Sequence, residues 1–276
     1  MQKHRIKSQC DNIIDSGWDT LNISASDVIT AANFAWKQAA IHVSSNGLEL
    51  RSNSGKEQII DLVEAKVNAA LRTFANNMST DLYSDGSASN QIGGLQAVVA
   101  DAGTGTIGGI NSSTYTWWKN IVQSAASPLQ GGGSVTMGTS TIQTQMNNLW
   151  LEISRGSDTP DLIVSSNDYY NFYEESLTQY KRYAPENAEA EGGLISLKYK
   201  SADVFFDGGT RWGGGIPAAH MYFLNTDNLE ICVHKDANLT EANKKMSVNQ
   251  DGEIIPYLWQ GNLVVSNRAL QGVMKA

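Results

Sequence analysis

Cysteine is scarce in this chain of 276 residues: only Cys10 and Cys232, far apart in sequence. With no signal-type stretch ahead of them, both are expected as reduced thiols, and a disulfide framework is excluded. Positive charge is scarce as well. The formal net charge is −8 and only 17% of residues are charged, so the chain lacks the broad basic field that draws nucleic acid. Lys3, His4, Arg5 and Lys7 form its one basic cluster, expected as a solvated terminus. No apolar run approaches the ~20 residues of a membrane span, so a soluble, intracellular-type protein is expected.

Catalytic and cofactor signatures are thin too. The four histidines, His4, His42, His220 and His234, make no His-x₃-His pair, and neither cysteine stands at a metal-ligand spacing from them. His220 and His234 alternate with apolar residues and read as ordinary strand positions. The sequence has no Gly-x-Ser-x-Gly elbow and no Walker loop. Glu174 and Glu175 are adjacent, which on a helix points them to different faces, poor geometry for sharing a proton. Gly103, Gly105 and Gly108 match Gly-x-Gly-x-x-Gly, but no helical stripe follows and no acidic residue stands between Asp101 and Glu152. A flexible glycine loop is the expectation there. No residue set reads as an active site or as a site for a metal or cofactor; none of either is expected, and the chain reads as structural rather than enzymatic.

What is present is one dominant stretch, Ser54–Leu82. Its apolar residues, Ile59/Ile60, Val63, Val67, Ala70/Leu71, Phe74, Met78 and Leu82, step by three and four and form one helical stripe. Ser54 and Glu57 have capping-box spacing, and Asp85-Gly86 is a stop signal. At 1.5 Å per residue the helix would run about 40 Å, long enough to serve as the spine of a large domain.

The rest of the chain is arranged around it. FAWKQAAIHVSS, from Phe34, reads as extended, with a turn at Asn46-Gly47 and a brief continuation over Leu48–Leu50. Asp85 to about Thr141 is rich in glycine and serine, yet Tyr115, Trp117 and Trp118 lie within it. Aromatics in so irregular a stretch need a surface: the stretch either folds over its own domain or meets another subunit. Ile142, Met146, Leu149/Trp150 and Ile153 mark a second helix closed by Arg155-Gly156. A strand at Asp161–Val164 follows, then a third helix carrying Tyr169/Tyr170, Tyr173, Leu177 and Tyr180. Strands are expected at Leu194–Tyr199, Val204–Phe206, His220–Leu224, Leu229–Val233, Ile254–Trp259 and Leu263–Val265. The elements mix without alternating as βαβ, so the class is α+β.

Several segments together resemble the major capsid proteins of tailed bacteriophages. They are WKQAA at Trp36–Ala40, the run Asn53–Gly86, IGGL at Ile92–Leu95, GTIGGINSSTYTWWKN at Gly105–Asn120, Thr159–Tyr183, and IPAAHMYFLNTDNL at Ile216–Leu229. The resemblance spans nearly all of residues 18–276. It implies the Hong Kong-97-like capsid fold, with residues 54–82 as the spine helix. Residues 1–17 would be a shortened N-terminal arm, 18–53 the E-loop region, and 54–138 the P-domain with the spine helix and the glycine-rich region. Residues 139–219 would be mainly the A-domain, and 220–276 strands returning to the P-domain. Family members carry a longer stretch ahead of the position of Trp18, where this chain has only MQKHRIKSQCDNIIDSG.

The implied function is a self-assembling subunit of the hexamers and pentamers of an icosahedral head, in the virion and, during assembly, the host cytoplasm. Implied partners are other copies of the chain, with scaffolding, portal and decoration proteins, and packaged double-stranded DNA through weak non-specific contacts; no membrane is implied. Trp36, Tyr115, Trp117, Trp118 and Trp212 are candidate subunit-interface residues, since a shell subunit needs aromatics outside its core stripes; intradomain packing is the competing account of each. Two alternatives stand beside this: an encapsulin-like cellular shell protein of the same fold, and an α+β enzyme using nucleotide at Gly103–Gly108.

Overall fold

The computed structural model describes residues 2–6, 29–53, 62–88, 90–177, 197–208, 215–246 and 251–276. In chain order the strands are β1 (Gln2–Ile6), β2 (Ile29–Asn33), β3 (Lys37–Asn46), β4 (Thr106–Ile107), β5 (Ile110–Asn111), β6 (Ile121–Ser124), β7 (Leu162–Ser165), β8 (Leu197–Tyr199), β9 (Ala202–Phe206), β10 (His220–Leu224), β11 (Leu229–Glu241), β12 (Lys245–Met246), β13 (Gly252–Val265) and β14 (Gly272–Lys275). The helices are α1 (Gly47–Ser52), α2 (Leu62–Leu82), α3 (Leu95–Val98), α4 (Ile142–Ile153) and α5 (Asn167–Ser176). The mixture is α+β, as expected.

A six-stranded sheet of order β6-β14-β10-β7-β9-β8 carries an apolar core on each face. In β10 four successive residues, Met221 to Leu224, are buried, the mark of a strand covered on both sides. Met221 and Phe223 join Ile163, Val204 and Met274 under α4 and α5, against Ile142, Met146, Leu149, Ile153, Tyr169 and Tyr173. Tyr222 and Leu224 face the other way, with Val273, against Ile92, Leu95, Val98, Val99 and Trp118. The two faces follow from the two-residue period of the strand. Leu149, fully buried on α4, offers a check: Leu149→Ala is expected to lower unfolding free energy by about 3 kcal/mol. A urea midpoint close to that of the parent chain would show that α4 is not packed as described.

The second sheet is built on β13. Its residues 252–261 pair antiparallel with β3, residues 257–265 pair with β11, and residues 253–254 with β12. Pro256 sits in mid-strand, where the missing N–H would normally break the ladder. It is tolerated because it falls between the end of β11 and the start of β12, where Ala242 N–H donates to the Pro256 carbonyl at 2.8 Å. α2 lies along β3. Val63, Val67, Ala70, Leu71, Phe74, Met78 and Leu82 are all half-buried and none is fully buried, so the stripe holds but marks a helix resting on the surface. Phe74 meets Trp259 at a centroid distance of 6.2 Å. The capping box at Ser54 and Glu57, and Ile59/Ile60, lie outside the described residues, as does Tyr180.

Several expectations change. Leu48–Leu50 is helical, not extended: Asn46 Oδ1 accepts from Leu48 N–H at 3.0 Å and caps α1. The separate strands expected at Ile254–Trp259 and Leu263–Val265 are one strand, and Leu229–Val233 is the first part of a strand reaching Glu241. Residues 2–6 are not loose but pair with residues 29–33. The glycine-rich region folds over its own sheet, giving Leu95, Val98, Val99, Ile110 and Trp118 to the core.

The Gly103–Gly108 loop opens no helix. Gly108 and Gly109, at φ +61° and +80°, form the two-residue turn of the β4–β5 hairpin, where such a turn needs positive φ at both positions. A Cβ on Gly108 would also come within 2.7 Å of the Ala32 side chain. The flexible glycine loop expected at Gly103–Gly108 is therefore corrected: it runs into a hairpin packed on β2.

Candidate subunit-interface surfaces

The residues 113–118 build a graded aromatic series. Asn111 Oδ1 accepts from Ser113 N–H at 2.8 Å, and the Asn111 carbonyl accepts from Tyr115 N–H at 2.9 Å. Beyond them, Trp118 N–H donates to the Tyr115 carbonyl at 2.9 Å and closes a single 3₁₀ turn over Thr116–Trp118. Trp118 points inward, 1% exposed, and its Nε1–H donates to the Ile107 carbonyl at 3.1 Å. Trp117 is half-buried and meets Trp118 at 5.7 Å, while Tyr115, 43% exposed, meets Trp117 at 6.0 Å. The inner ring anchors and the outer ring is presented. Trp118 is thus corrected: it serves its own core, and its polar atom is satisfied there. Trp212 lies outside the described residues.

Trp36 stands between β2 and β3, 41% exposed. Asn262 Nδ2 donates to the preceding carbonyl, that of Ala35, at 2.8 Å, and the indole meets the His234 ring edge-on at 5.7 Å and 75°. It is therefore held in place while still facing solvent. Of the candidate residues, Trp36 and Tyr115 are exposed and Trp117 is half-buried.

Sequence reasoning missed a third group. β11 is the outer strand of its sheet, and Ile231 and Val233, two apart and so on one face, are 51% and 36% exposed. Opposite them stand Leu263 and Gly261, so an apolar core face continues to an uncovered margin. Met246, 74% exposed, and Ile254, 39% exposed, lie near the β12–β13 hairpin. Isolated apolar surface residues are ordinary; two exposed on one face of an outer strand make a candidate contact surface. The alternation Glu230–His234 was visible in the sequence; that one apolar face lacked a cover was not.

Two ion pairs hold α1 to its neighbours. Lys66 Nζ lies 2.5 Å from Glu49 Oε2, holding Glu49 below the usual carboxylate range chiefly through that hydrogen bond. Arg51 Nη2 lies 2.5 Å from Asp251 Oδ2. The buried tyrosines of α5 stay neutral: burial pushes Tyr169 and Tyr173 up to about 12. Among the described residues no cluster of three histidine, cysteine or acidic side chains forms a metal site, and no helix is long and apolar enough to cross a membrane.

No protein-family model matches the chain, and no curated protein matches it. Solved structures do. The capsid asymmetric unit of Cyanophage A-1(L) matches at a TM-score of 0.68 and 16% identity, covering 100% of this chain and 87% of that one. The capsid of a native GTA particle matches at 0.60 and 10% identity, covering 100% and 84%. An encapsulin complex from Synechococcus elongatus matches at 0.56 and 6% identity, covering 100% and 81%. Spine helix, helix-backed mixed sheet and long-stranded second sheet together give this chain the Hong Kong-97-like fold of phage major capsid proteins.

Proposed function

We propose that the chain is a structural shell subunit, the major capsid protein of a phage head, assembling through hexamers and pentamers into an icosahedral container for double-stranded DNA. The observation that carries this is coverage: capsid subunits match all of the described fold rather than one piece of it. The exposed aromatics on braced elements support the same reading. In this assignment α2 is the spine helix of a P-domain over residues 54–138, residues 139–219 are mainly the A-domain, residues 18–53 belong to the E-loop region, and residues 220–276 return to the P-domain. Other copies of the chain are the main partner. Scaffolding, portal and decoration proteins would meet the finished or growing shell, in the host cytoplasm and then in the virion. With a net charge of −8, contact with DNA is weak and non-specific. The reading involves no catalysis.

Negative-stain microscopy and mass photometry of the purified chain, alone and co-expressed with a scaffold protein, test it. Rings or closed shells are expected; small species under every condition would overturn the proposal. The single substitutions Trp36→Ala and Tyr115→Ala are expected to leave thermal unfolding nearly unchanged. Each should weaken association about 30-fold, corresponding to roughly 2 kcal/mol at a buried aromatic contact. Variants that assemble like the parent would remove those residues from the interface while leaving the shell role standing.

An encapsulin-like compartment is the second reading, favoured by the encapsulin among the structural matches. The contents of purified particles decide between them: packaged DNA for a phage head, a protein cargo for a cellular compartment.

A further inference from the structure

His220 opens β10, and both of its ring nitrogens face acceptors. Nδ1 lies 2.8 Å from the Ala218 carbonyl oxygen, and Nε2 lies 3.0 Å from Asp101 Oδ2. A backbone carbonyl can only accept, and so can an ionised carboxylate. A neutral imidazole carries a single N–H, so it would satisfy one of these oxygens and aim a lone pair at the other. The imidazolium satisfies both. The ring is well shielded, with 15% of the His220 side chain exposed against 39% for Asp101, so water substitutes poorly for a lost partner.

The two acceptors belong to different parts of the chain. Asp101 sits in the turn that follows α3, 119 residues from His220 in sequence. Ala218 sits in the turn that delivers the chain into β10. Between Ala218 and His220, Ala219 has φ +56°, a left-handed conformation that residues other than glycine seldom occupy. The hydrogen bond from Nδ1 back to Ala218 spans that residue and closes the turn around it.

We propose that His220 is a proton-operated latch: protonated, it ties the Asp101 turn to the turn entering β10, and deprotonated, it releases one of the two. The surrounding groups set the direction. Lys275, opposite His220 in the β10–β14 register, opposes protonation, and burial opposes it most. The hydrogen bonds to Asp101 and Ala218 and the charge of Asp101 outweigh both, so His220 holds its proton above the ordinary histidine value. Asp101 is held below the usual carboxylate range, chiefly by the His220 hydrogen bond. Tyr222, stacked on His220 at 6.3 Å and 28°, is neutral because burial raises its phenol, as is Tyr83 beyond it, next to Asp207. Neither supplies a competing charge.

The signs follow from these two shifts. A raised histidine contributes fully below its ordinary value of about 6.5 and loses that contribution as pH rises through the folded value. A lowered carboxylate contributes above its ordinary value of about 3.9 and loses it as pH falls through the lowered one. The latch is therefore closed in weak acid and opens on the alkaline side.

Hydrogen exchange with mass spectrometry on the full chain, from roughly pH 5.5 to pH 9 and corrected for intrinsic exchange, tests it. Peptides covering 99–105 and 215–222 are expected to exchange about tenfold faster above the His220 transition than below it, while α4 peptides stay level. His220→Gln and Asp101→Asn should remove the step, with the α4 peptides reporting that each variant remains folded. A parent chain with no step, or a His220→Gln chain that keeps it, overturns the proposal. So does a His220 carbon-13 titration below the value of free histidine, a measurement that needs no variant.

Discussion

Replacing Arg268 with alanine is expected to lower the unfolding free energy by about 5 kcal/mol, more than any other single side-chain truncation considered above. Arg268 is fully buried. Its Nε donates to the Val98 carbonyl at 2.7 Å, Nη1 to the Trp118 carbonyl at 3.2 Å, and Nη2 to Asn120 Oδ1 at 2.9 Å. None of these partners is acidic. Burial lowers its pKa to about 10, still far enough above neutrality to keep the charge. One guanidinium thus stitches α3, the aromatic turn and the approach to β6 to the segment ahead of β14. Alanine would leave three buried acceptors without donors, each costing about 1–3 kcal/mol. Methionine would restore volume but no donor, and lysine could serve only one or two of the acceptors, so the order of stability should be Arg, Lys, Met, Ala. Urea unfolding of the purified chain measures this. A methionine variant as stable as the parent would show that the acceptors find other donors.

The second large effect is expected at Gly94. A Cβ there would stand 2.5 Å from the Asp81 carbonyl oxygen, 2.5 Å from the Ser84 nitrogen and 2.6 Å from the Leu82 carbonyl oxygen. All three are backbone atoms at the end of α2, so no rotamer change relieves the contact. Backbone torsion is not the constraint, because φ is −79°; the requirement is space alone. Gly94→Ala is expected to cost about 4 kcal/mol, above the usual range for overpacking because the neighbours cannot rotate away. Gly272 is a useful contrast. Its added Cβ would meet Ile153 Cδ1 within contact distance, along with Leu149 Cδ1 at 3.0 Å, and these are ends of flexible side chains. Differential scanning calorimetry should therefore show a much larger drop for Gly94→Ala than for Gly272→Ala. The reverse order would mean that α2 can slide away from the loop beneath it.

Local signals made much of this structure legible in advance. α4 and α5 were readable because their apolar residues repeat at the helical period, and β10 because four apolar residues stand between turn signals. α2 was readable as a stripe but not in its depth: periodicity shows which face is covered, and only the neighbouring strand shows how far. β6 and β14 were missed because IVQS and GVMK each hold only two apolar residues, too few for a pattern, and owe their conformation to partners far away in sequence. The aromatic surface was half legible. Trp117 and Trp118 are neighbours of the same type, and only the 3₁₀ turn decides that one faces the core while the other lies nearer the surface. His220 was read as an ordinary strand position because its partner Asp101 comes from a turn with no sequence link to it.

The place of β14 has a consequence for the timing of synthesis. It lies between β6 and β10, yet follows both in the chain, and β6 has no other partner in that sheet. Until residue 275 has left the ribosome, the place between β6 and β10 is a gap with two open strand edges, and both faces wait for Val273 and Met274. Such long-range closure is slow. Tyr222 and Phe223, the neighbours of that gap, stay incompletely covered until it is filled. The nascent chain therefore completes this sheet, and closes the edges beside Tyr222 and Phe223, only once β14 has been inserted between β6 and β10.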